Sequence, residues 1–308
     1  MVQTAFSSPL TTGQISSLLL RNLNAVKGSH QLLPNRYHRF FKPRKADMAT
    51  MYEMEVRDPT WGEESGEGEQ APLATAGQGI ETAYNMLMFT NSLFVTLPAL
   101  QDNLYKDQWS PQAAGFVHSQ DVLRNLALWS FLNNANNNLS QLGDGLPLFS
   151  TEHLLSEGTF ANTFPQPTGM SKDSLFYAAN SVSLYVSYAL YPMYLKTLSL
   201  DIPVAQSQLA QTLLFSTQDP TTANRAINAL NSGGYYSEGI QVNPYLQDPT
   251  FWIGRTDEEM GFVHWEYMPF MIETMPMSSA FVLGFASIER FGWGCGSARA
   301  CFGSTMFA

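Results

Sequence analysis

The chain has 308 residues, 16 basic and 26 acidic, for a formal net charge of −10, with 44% hydrophobic and 13% aromatic side chains. That apolar content excludes intrinsic disorder over most of the length, and the composition excludes collagen-like and disulfide-rich classes. Only 14% of the residues are charged, against about 25% in an ordinary soluble domain; low charge with many aromatics suits a chain whose outer faces press on other chains.

The length allows about two domains. No apolar run of membrane-spanning length occurs, and no stretch near Met1 has the order of a secretion signal. Residues 1–45 carry Arg21, Lys27, Arg36, Arg39, Lys42, Arg44 and Lys45 and no acidic group, so the remainder holds 9 basic groups against 26 acidic ones. Residues 46–81 hold Asp47, Glu53, Glu55, Asp58, Glu63, Glu64, Glu67, Glu69 and Glu81 against the single Arg57. The basic arm reads as a solvated tail, as an organellar transit segment, or as a tentacle lying on the acidic surface of a neighbouring copy. The third reading is preferred, because opposite charges on two segments of one chain steer association between copies. As a DNA-binding footprint the arm is weak on an acidic chain.

In chain order, Gln14–Val26 predicts a short helix with Thr11 or Thr12 as cap and Gly28 as stop, and residues 29–46 an extended segment. Met51–Val56 reads as a strand, residues 61–69 as an exposed Gly/Glu loop tip, and Ile80–Met88 as the returning strand of a protruding hairpin. Such a hairpin is not stable alone in water and needs something to lie on. Ser110-Pro111 predicts a helix start, and a helix to about Asn137 with Val122, Leu126 and Trp129 on one face. Beyond it, helices are expected from the Ser171 cap to Val182, over Val204–Ser216 and over Thr221–Asn231. Strands are expected at Leu198–Ile202, Ile240–Val242, Phe251–Ile253, Val263–Tyr267, Phe281–Phe291 and Ala298–Phe302. The class is α+β.

A search for chemistry yields little. No phosphate loop, dinucleotide fingerprint or nucleophile elbow occurs. Thr151-Glu152-His153 reads as a hydrogen-bonded surface pair, Asp257-Glu258-Glu259 as a solvated corner, and Cys295 between Gly294 and Gly296 as part of a tight bend. Cys295 and Cys301 read as apolar core residues of a reducing compartment, since no Cys or His partners stand at zinc spacing. No catalytic, cofactor or metal residue is expected.

Several segments carry a resemblance. Gly145-Leu146-Pro147-Leu148-Phe149-Ser150-Thr151-Glu152-His153, after a long helix, an Asn-rich stretch and a Gly-Asp-Gly turn, resembles the Pro-Leu-Phe-Ser-Thr-x-His stretch of the major head (capsid) proteins of tailed double-stranded-DNA bacteriophages, the Mu-like group in particular. Leu200-Asp201-Ile202-Pro203, the Pro244-Tyr245-Leu246-Gln247-Asp248-Pro249 segment with Phe251-Trp252, and Arg290-Phe291-Gly292-Trp293-Gly294 with Arg299 and Gly303-Ser304 are similar to further segments of that group in the same order. The resemblance covers about residues 50–305. It implies an N-terminal arm (1–46), an E-loop hairpin (47–92), a peripheral domain (93–150 and 262–291) with a spine helix at 110–137, and an axial α/β domain (151–261 and 292–308).

The resemblance further implies a virion protein, assembled in the host cytoplasm. It would form hexamers and pentamers of an icosahedral shell around packaged DNA, held without sequence specificity, with portal and decoration proteins as partners and without a membrane. No removed prosegment and no covalent crosslinking are expected. The contacts between subunits are expected from Arg36, Arg39, Lys42, Arg44 and Lys45 of the arm, and from Glu53, Glu55, Trp61, Glu63, Glu64, Glu67 and Glu69 of the hairpin. The rival readings are a mitochondrial-type enzyme with a transit segment and a protein that decorates a shell.

Overall fold

A computed structural model of the chain describes residues 17, 19–21, 23–27, 36–57, 77–96, 105–221, 226–275 and 282–304. Two four-stranded sheets organise it. The first is built on the antiparallel pair β10 (Phe262–Met275) and β11 (Val282–Cys295), each much longer than the sequence pattern suggests. β10 shifts register between Glu266 and Met268 and again between Met268 and Met271. Pro269 sits in the second shift, where its missing N–H interrupts the ladder least. The strand therefore continues past a proline that, on sequence grounds, marks its end.

Outside this pair lie β4 (Leu87–Thr96), antiparallel to β11, and β1 (Lys42–Lys45), parallel to β10. The expected tight bend at residues 292–296 is instead mostly the end of β11. Its glycines serve close approach: a Cβ at Gly292 would stand 2.8 Å from the Asn85 carbonyl oxygen, and one at Gly294 2.8 Å from the Tyr84 ring.

The hairpin strands are β2 (Thr50–Arg57) and β3 (Gly77–Asn85), paired antiparallel. The expected return over 80–88 is really two strands. The chain breaks at Met86, whose N–H donates to Ala49 (3.0 Å) and whose side chain is buried, and then enters the first sheet as β4. β4 alternates apolar and polar only weakly, which hid it.

The N-terminal helix is present at residues 17, 19–21 and 23–27, and buries Leu19 and Leu23 against Val95, Phe116, Phe270, Ile272 and Phe285. The segment expected to be extended contains a short 3-10 helix, Arg36–Arg39, before β1. Tyr37, Phe40 and Phe41 are buried there with Leu128, Trp129, Leu132 and Phe262, and the Phe40 and Phe262 rings lie 4.4 Å apart. Within one chain, then, residues 36–46 are seated on the body, and the tentacle expectation concerns only what their exposed side chains meet beyond it. Aromatic burial and a strand ladder outweigh the exposed cations that suggested a free arm.

The long helix α1 runs Tyr105–Asn133, starting before the expected Ser110-Pro111 cap. Pro111 lies in its second turn, where it removes one intrahelical hydrogen bond. The helix stops at Asn133 because Asn137 caps a following 3-10 turn, Asn138–Ser140. Its buried residues are Ala113, Phe116, Val117 and Gln120, then Leu128, Trp129, Phe131 and Leu132. Leu126, expected inside, is exposed; the first half packs on the first sheet, and the buried stripe rotates as the second half meets the arm and the loops beyond it.

A small pair, β5 (His153–Leu154) with β6 (Thr159–Phe160), leads to the second sheet, ordered β12 (Cys301–Gly303), β9 (Ile253–Thr256), β7 (Thr197–Pro203), β8 (Gly239–Asn243). β7 and β8 are parallel and joined by α3 (Ser207–Phe215), while β9 is antiparallel to both β7 and β12. Helix α2 (Lys172–Ser183) starts as expected, Ser171 and Ser174 forming a reciprocal capping box. Leu175, Val182, Leu200, Ile202, Leu213, Trp252 and Phe302 form the core on this side. Three expectations fail locally, the first being the strand over Ala298–Phe302, which begins only at Cys301 after a 3-10 turn, Ala298–Ala300, capped by Ser297. Of the helix expected over 221–231, residues 222–225 lie outside the described residues and 226–228 are not helical, because Gln218 bridges to Ile227 and the Asn228 side chain caps the short α4, Ala229–Ser232; and the strand at 251–253 begins at Ile253.

Truncating Phe41 to Ala is expected to cost about 3–5 kcal/mol, measured by denaturant unfolding of the full chain. A loss under about 1 kcal/mol would show that the arm adds little to the fold.

Candidate assembly surface at the hairpin and arm

A strand turns successive side chains to opposite faces, and β2 does so with an unusual result. Glu53 and Glu55 face the body of the chain, while Tyr52 (58% exposed) and Met54 (40% exposed) face away from it. The carboxylates are held inward by cations. Arg44 of β1 pairs with Glu53, which also accepts from the Tyr84 hydroxyl (2.7 Å); the Arg44 guanidinium lies over Trp265, 5.5 Å from the ring centre. Glu55 accepts from Nη1 of Arg299 at 2.5 Å. Arg299 is 2% exposed; its Nε donates to the Val186 carbonyl (2.6 Å), and its guanidinium lies 4.9 Å from the Phe160 ring centre. A shallow cleft lined by Glu55, Asp144, Phe160, Ser297 and Arg299 runs beneath the hairpin.

Of the arm residues singled out in the sequence, Arg36 opens the 3-10 helix, and Arg39 donates to the Glu238 carbonyl oxygen at 2.6 Å. Lys42 and Lys45 are exposed on β1. Trp61, Glu63, Glu64, Glu67 and Glu69 lie outside the described residues. Arg44, Glu53 and Glu55 thus meet partners within one chain.

The second sheet carries a charged cluster beside Arg39. Arg255 pairs with the Glu238 carboxylate and reaches Ser199 Oγ (3.3 Å), which donates to Asp201 (2.9 Å). Asp201 is buried, and its other oxygen has no hydrogen-bond partner among the described residues. Burial raises its pKa to about 7, against the Ser199 hydrogen bond and the Arg255 charge.

Several side chains that the sequence offered for chemistry make local contacts. His153 is buried, not on the surface: Nδ1 meets Asp144 at 2.7 Å and Nε2 the Leu148 carbonyl at 3.2 Å, which braces the Gly143-Asp144-Gly145 turn. Burial opposes the Asp144 charge, but the His153 bond and the Leu146 N–H leave its carboxyl below the ordinary range. Asp257 and Glu258 accept from the backbone N–H groups of Lys196 and Met260. Cys295 is buried, which pushes its thiol up to about 12, and Cys301 is also an unpaired thiol. Among the described residues no three His, Cys, Asp or Glu side chains gather as a metal site, and no helix is long and apolar enough to cross a membrane.

Sequence reasoning missed Arg299 as a partner of the hairpin and the outward apolar face around Tyr52 and Met54. The alternation Tyr52-Glu53-Met54-Glu55 was visible, but which side faces inward depends on Arg44, on another strand, and on Arg299, 244 positions away from Glu55.

No protein-family model matches the chain, and no curated protein matches it in sequence. Solved structures match along almost its whole length. One titled "Mycobacterium phage Patience" has a TM-score of 0.55 at 11% identity, covering 97% of this chain and 91% of that one. The procapsid of bacteriophage JBD30 has 0.50 at 12%, covering 97% and 77%. The fold is that of tailed-phage major capsid proteins. At these identities the likeness is one of topology. "Microbacterium phage Oxtober96" matches similarly, with a TM-score of 0.51 at 9% identity, covering 88% of this chain and 90% of that one. Within the capsid fold, the paired strands β2 and β3 and the 29-residue α1 are the elements on which the hairpin and spine expectations fall.

Asp201 makes stability pH-dependent. A carboxyl whose pKa rises on folding stabilises the fold fully below its unfolded value near 3.8 and loses that contribution as pH climbs to about 7. Asp201→Asn is therefore expected to raise the melting temperature at pH 8 and to change it little at pH 4. An equal shift at both pH values would show that the carboxyl is not desolvated.

Proposed function

We propose that the chain is the major subunit of a tailed-phage head. Copies of it would join as hexamers and pentamers into an icosahedral shell around packaged double-stranded DNA, within the Mu-like group whose sequence segments it resembles. The observation that carries this reading is the inverted hairpin, set on a capsid fold: acidic face inward, Tyr52 and Met54 outward. An apolar face turned to solvent over a two-stranded ribbon gains stability when another surface covers it. The open side of the first sheet offers such a surface, with Met88 65% and Phe94 56% exposed on β4.

In this reading the arm (1–46), the hairpin (47–92), a peripheral domain with α1 and an axial domain built on the second sheet act as one unit. The hairpin tip (Trp61, Glu63, Glu64, Glu67, Glu69) reaches a neighbour's long helix, and Lys42 and Lys45, exposed on the arm, meet a neighbour's acidic surface. Exposed ion pairs contribute about 0–1 kcal/mol each, so covered apolar area, at about 25 cal/mol per Å², supplies most of the association energy. A net charge of −10 gives DNA little to adhere to, which suits a container loaded by a motor through a portal. The role is structural and not catalytic, the joints noncovalent, and decoration proteins would sit on the finished shell in the virion.

Electron microscopy of the purified full-length protein tests this: closed shells or capsomer rings are expected, and a uniform monomer would overturn it. Replacing Tyr52 and Met54 together with Ser is expected to cut particle yield at least tenfold. The unassembled subunit should keep the circular dichroism and melting temperature of wild type, because neither side chain is buried in it. Normal yield would remove the outward hairpin face from the assembly contacts.

A further inference from the structure

The joint between the arm, α1 and the first sheet buries polar groups that find no partner among the described residues. His264 of β10 is buried, and neither ring nitrogen has a hydrogen-bond partner. Its ring stands edge-on to Tyr37 at 5.5 Å and to Phe291 at 5.3 Å, with His38 6.3 Å away. Gln120 of α1 is buried with both ends of its amide unpartnered. Arg124, one turn on, donates to the Tyr37 hydroxyl (3.0 Å) and pairs with Glu289 of β11, yet its Nε and the second Glu289 oxygen have no partner. Native proteins leave few buried polar atoms unpaired, and a cluster of them weakens the seam that buries it.

The charged and titratable groups around His264 come from every element packed on it. The arm brings Tyr37 and His38. β1 places Pro43 opposite His264 in register, between the exposed Lys42 and Arg44, which is turned to Glu53. α1 brings Arg124 and Asp121, 4.0 Å apart, β11 brings Glu289, and β10 itself brings Glu266. The permanent cation whose charge bears on the imidazole is Arg124, already committed to Glu289 and Tyr37.

We propose that this joint is an acid-triggered release: proton uptake by His264 frees the arm, residues 36–45, from the body of its own chain. A protonated imidazole here would be a buried cation with no acceptor on either nitrogen, beside Arg124 and the second imidazole of His38. Burial, then the Arg124 charge, then His38, hold the His264 pKa down to about 3, and burial also lowers that of His38. A histidine depressed on folding contributes stability that is full above its unfolded pKa of 6.5 and is lost as pH falls toward 3. When the arm lifts, His264 regains water and takes the proton that the closed form refuses. Opening then grows up to tenfold per pH unit below about 6.5.

The arm is the element that yields. It is held by three aromatic side chains, the four-residue β1 and the side chains of Arg39 and Arg44, whereas β10 is paired along its length to β11. Glu289 works in the opposite direction, because burial raises its pKa and acid favours its neutral buried form. The test must therefore isolate His264.

Hydrogen exchange of the unassembled full-length chain, corrected for intrinsic rates, is followed from pH 7.5 to 4.5. Protection of the amides at residues 42–46 is expected to fall at least tenfold toward pH 4.5, while that of the β10–β11 pair holds. In His264→Phe and His264→Asn, two neutral replacements of different polarity, the fall is expected to shrink below threefold. Unchanged wild-type protection, or the wild-type pH profile in both variants, would overturn the proposal. The outcome does not depend on the head-protein reading, because it is read on a single subunit.

Discussion

The inward turn of two carboxylates organises the exposed half of this molecule. Glu53 and Glu55 stand on one face of β2 because a strand has a two-residue period, and two cations far apart in sequence, Arg44 and Arg299, draw that face onto the body. The cost of the arrangement is that Tyr52 and Met54 point to water. An ordinary surface hairpin buries its apolar side and hydrates its charges. Here the ion pairs fix the angle of the hairpin base and leave an apolar face uncovered, which ties a local electrostatic contact to the way the chain meets its neighbours.

The arm obeys a related logic. Its cations read as a free basic tail, yet Tyr37, Phe40 and Phe41 enter the core beside Trp129, and β1 adds a parallel strand to the first sheet. Hydrophobic burial decides where this segment lies, and its charges are then placed at the joints: Arg44 on the hairpin, Arg39 on the second sheet. The polar cluster around His264, Arg124 and Glu289 is the less settled side of the same seam. A core that pairs its aromatics well and its polar atoms poorly holds the arm firmly at neutral pH while remaining sensitive to one proton.

The likeness to phage structures at 9–12% identity shows how loosely side chains specify this topology. In this chain the topology is an order of elements: a paired hairpin, a long helix, and two sheets whose strands come from distant parts of the sequence. Each of these needs a pattern of burial more than particular residues, since cores tolerate exchange of apolar groups when volume and pattern are kept.

Much of this was legible from the residues. The α+β class, the hairpin, the long helix, the Ser171 cap and the β7–α3–β8 unit followed from periodicity, caps and turn residues, because those signals act over a few positions. The true lengths of β10 and β11, the strand β4, the early start of α1 and the seat of the arm did not. Pro269 looks like a strand end and Pro111 like a helix start until a partner strand or an already nucleated helix carries the chain through them, and β4 lacks a periodic signature. The amino-acid order by itself determined which side chains alternate along β2 and that the arm is basic. Only the tertiary structure decided that the carboxylates of β2 face inward and that the arm lies on its own chain, because those choices rest on contacts between residues as much as 244 positions apart, and no local pattern encodes them.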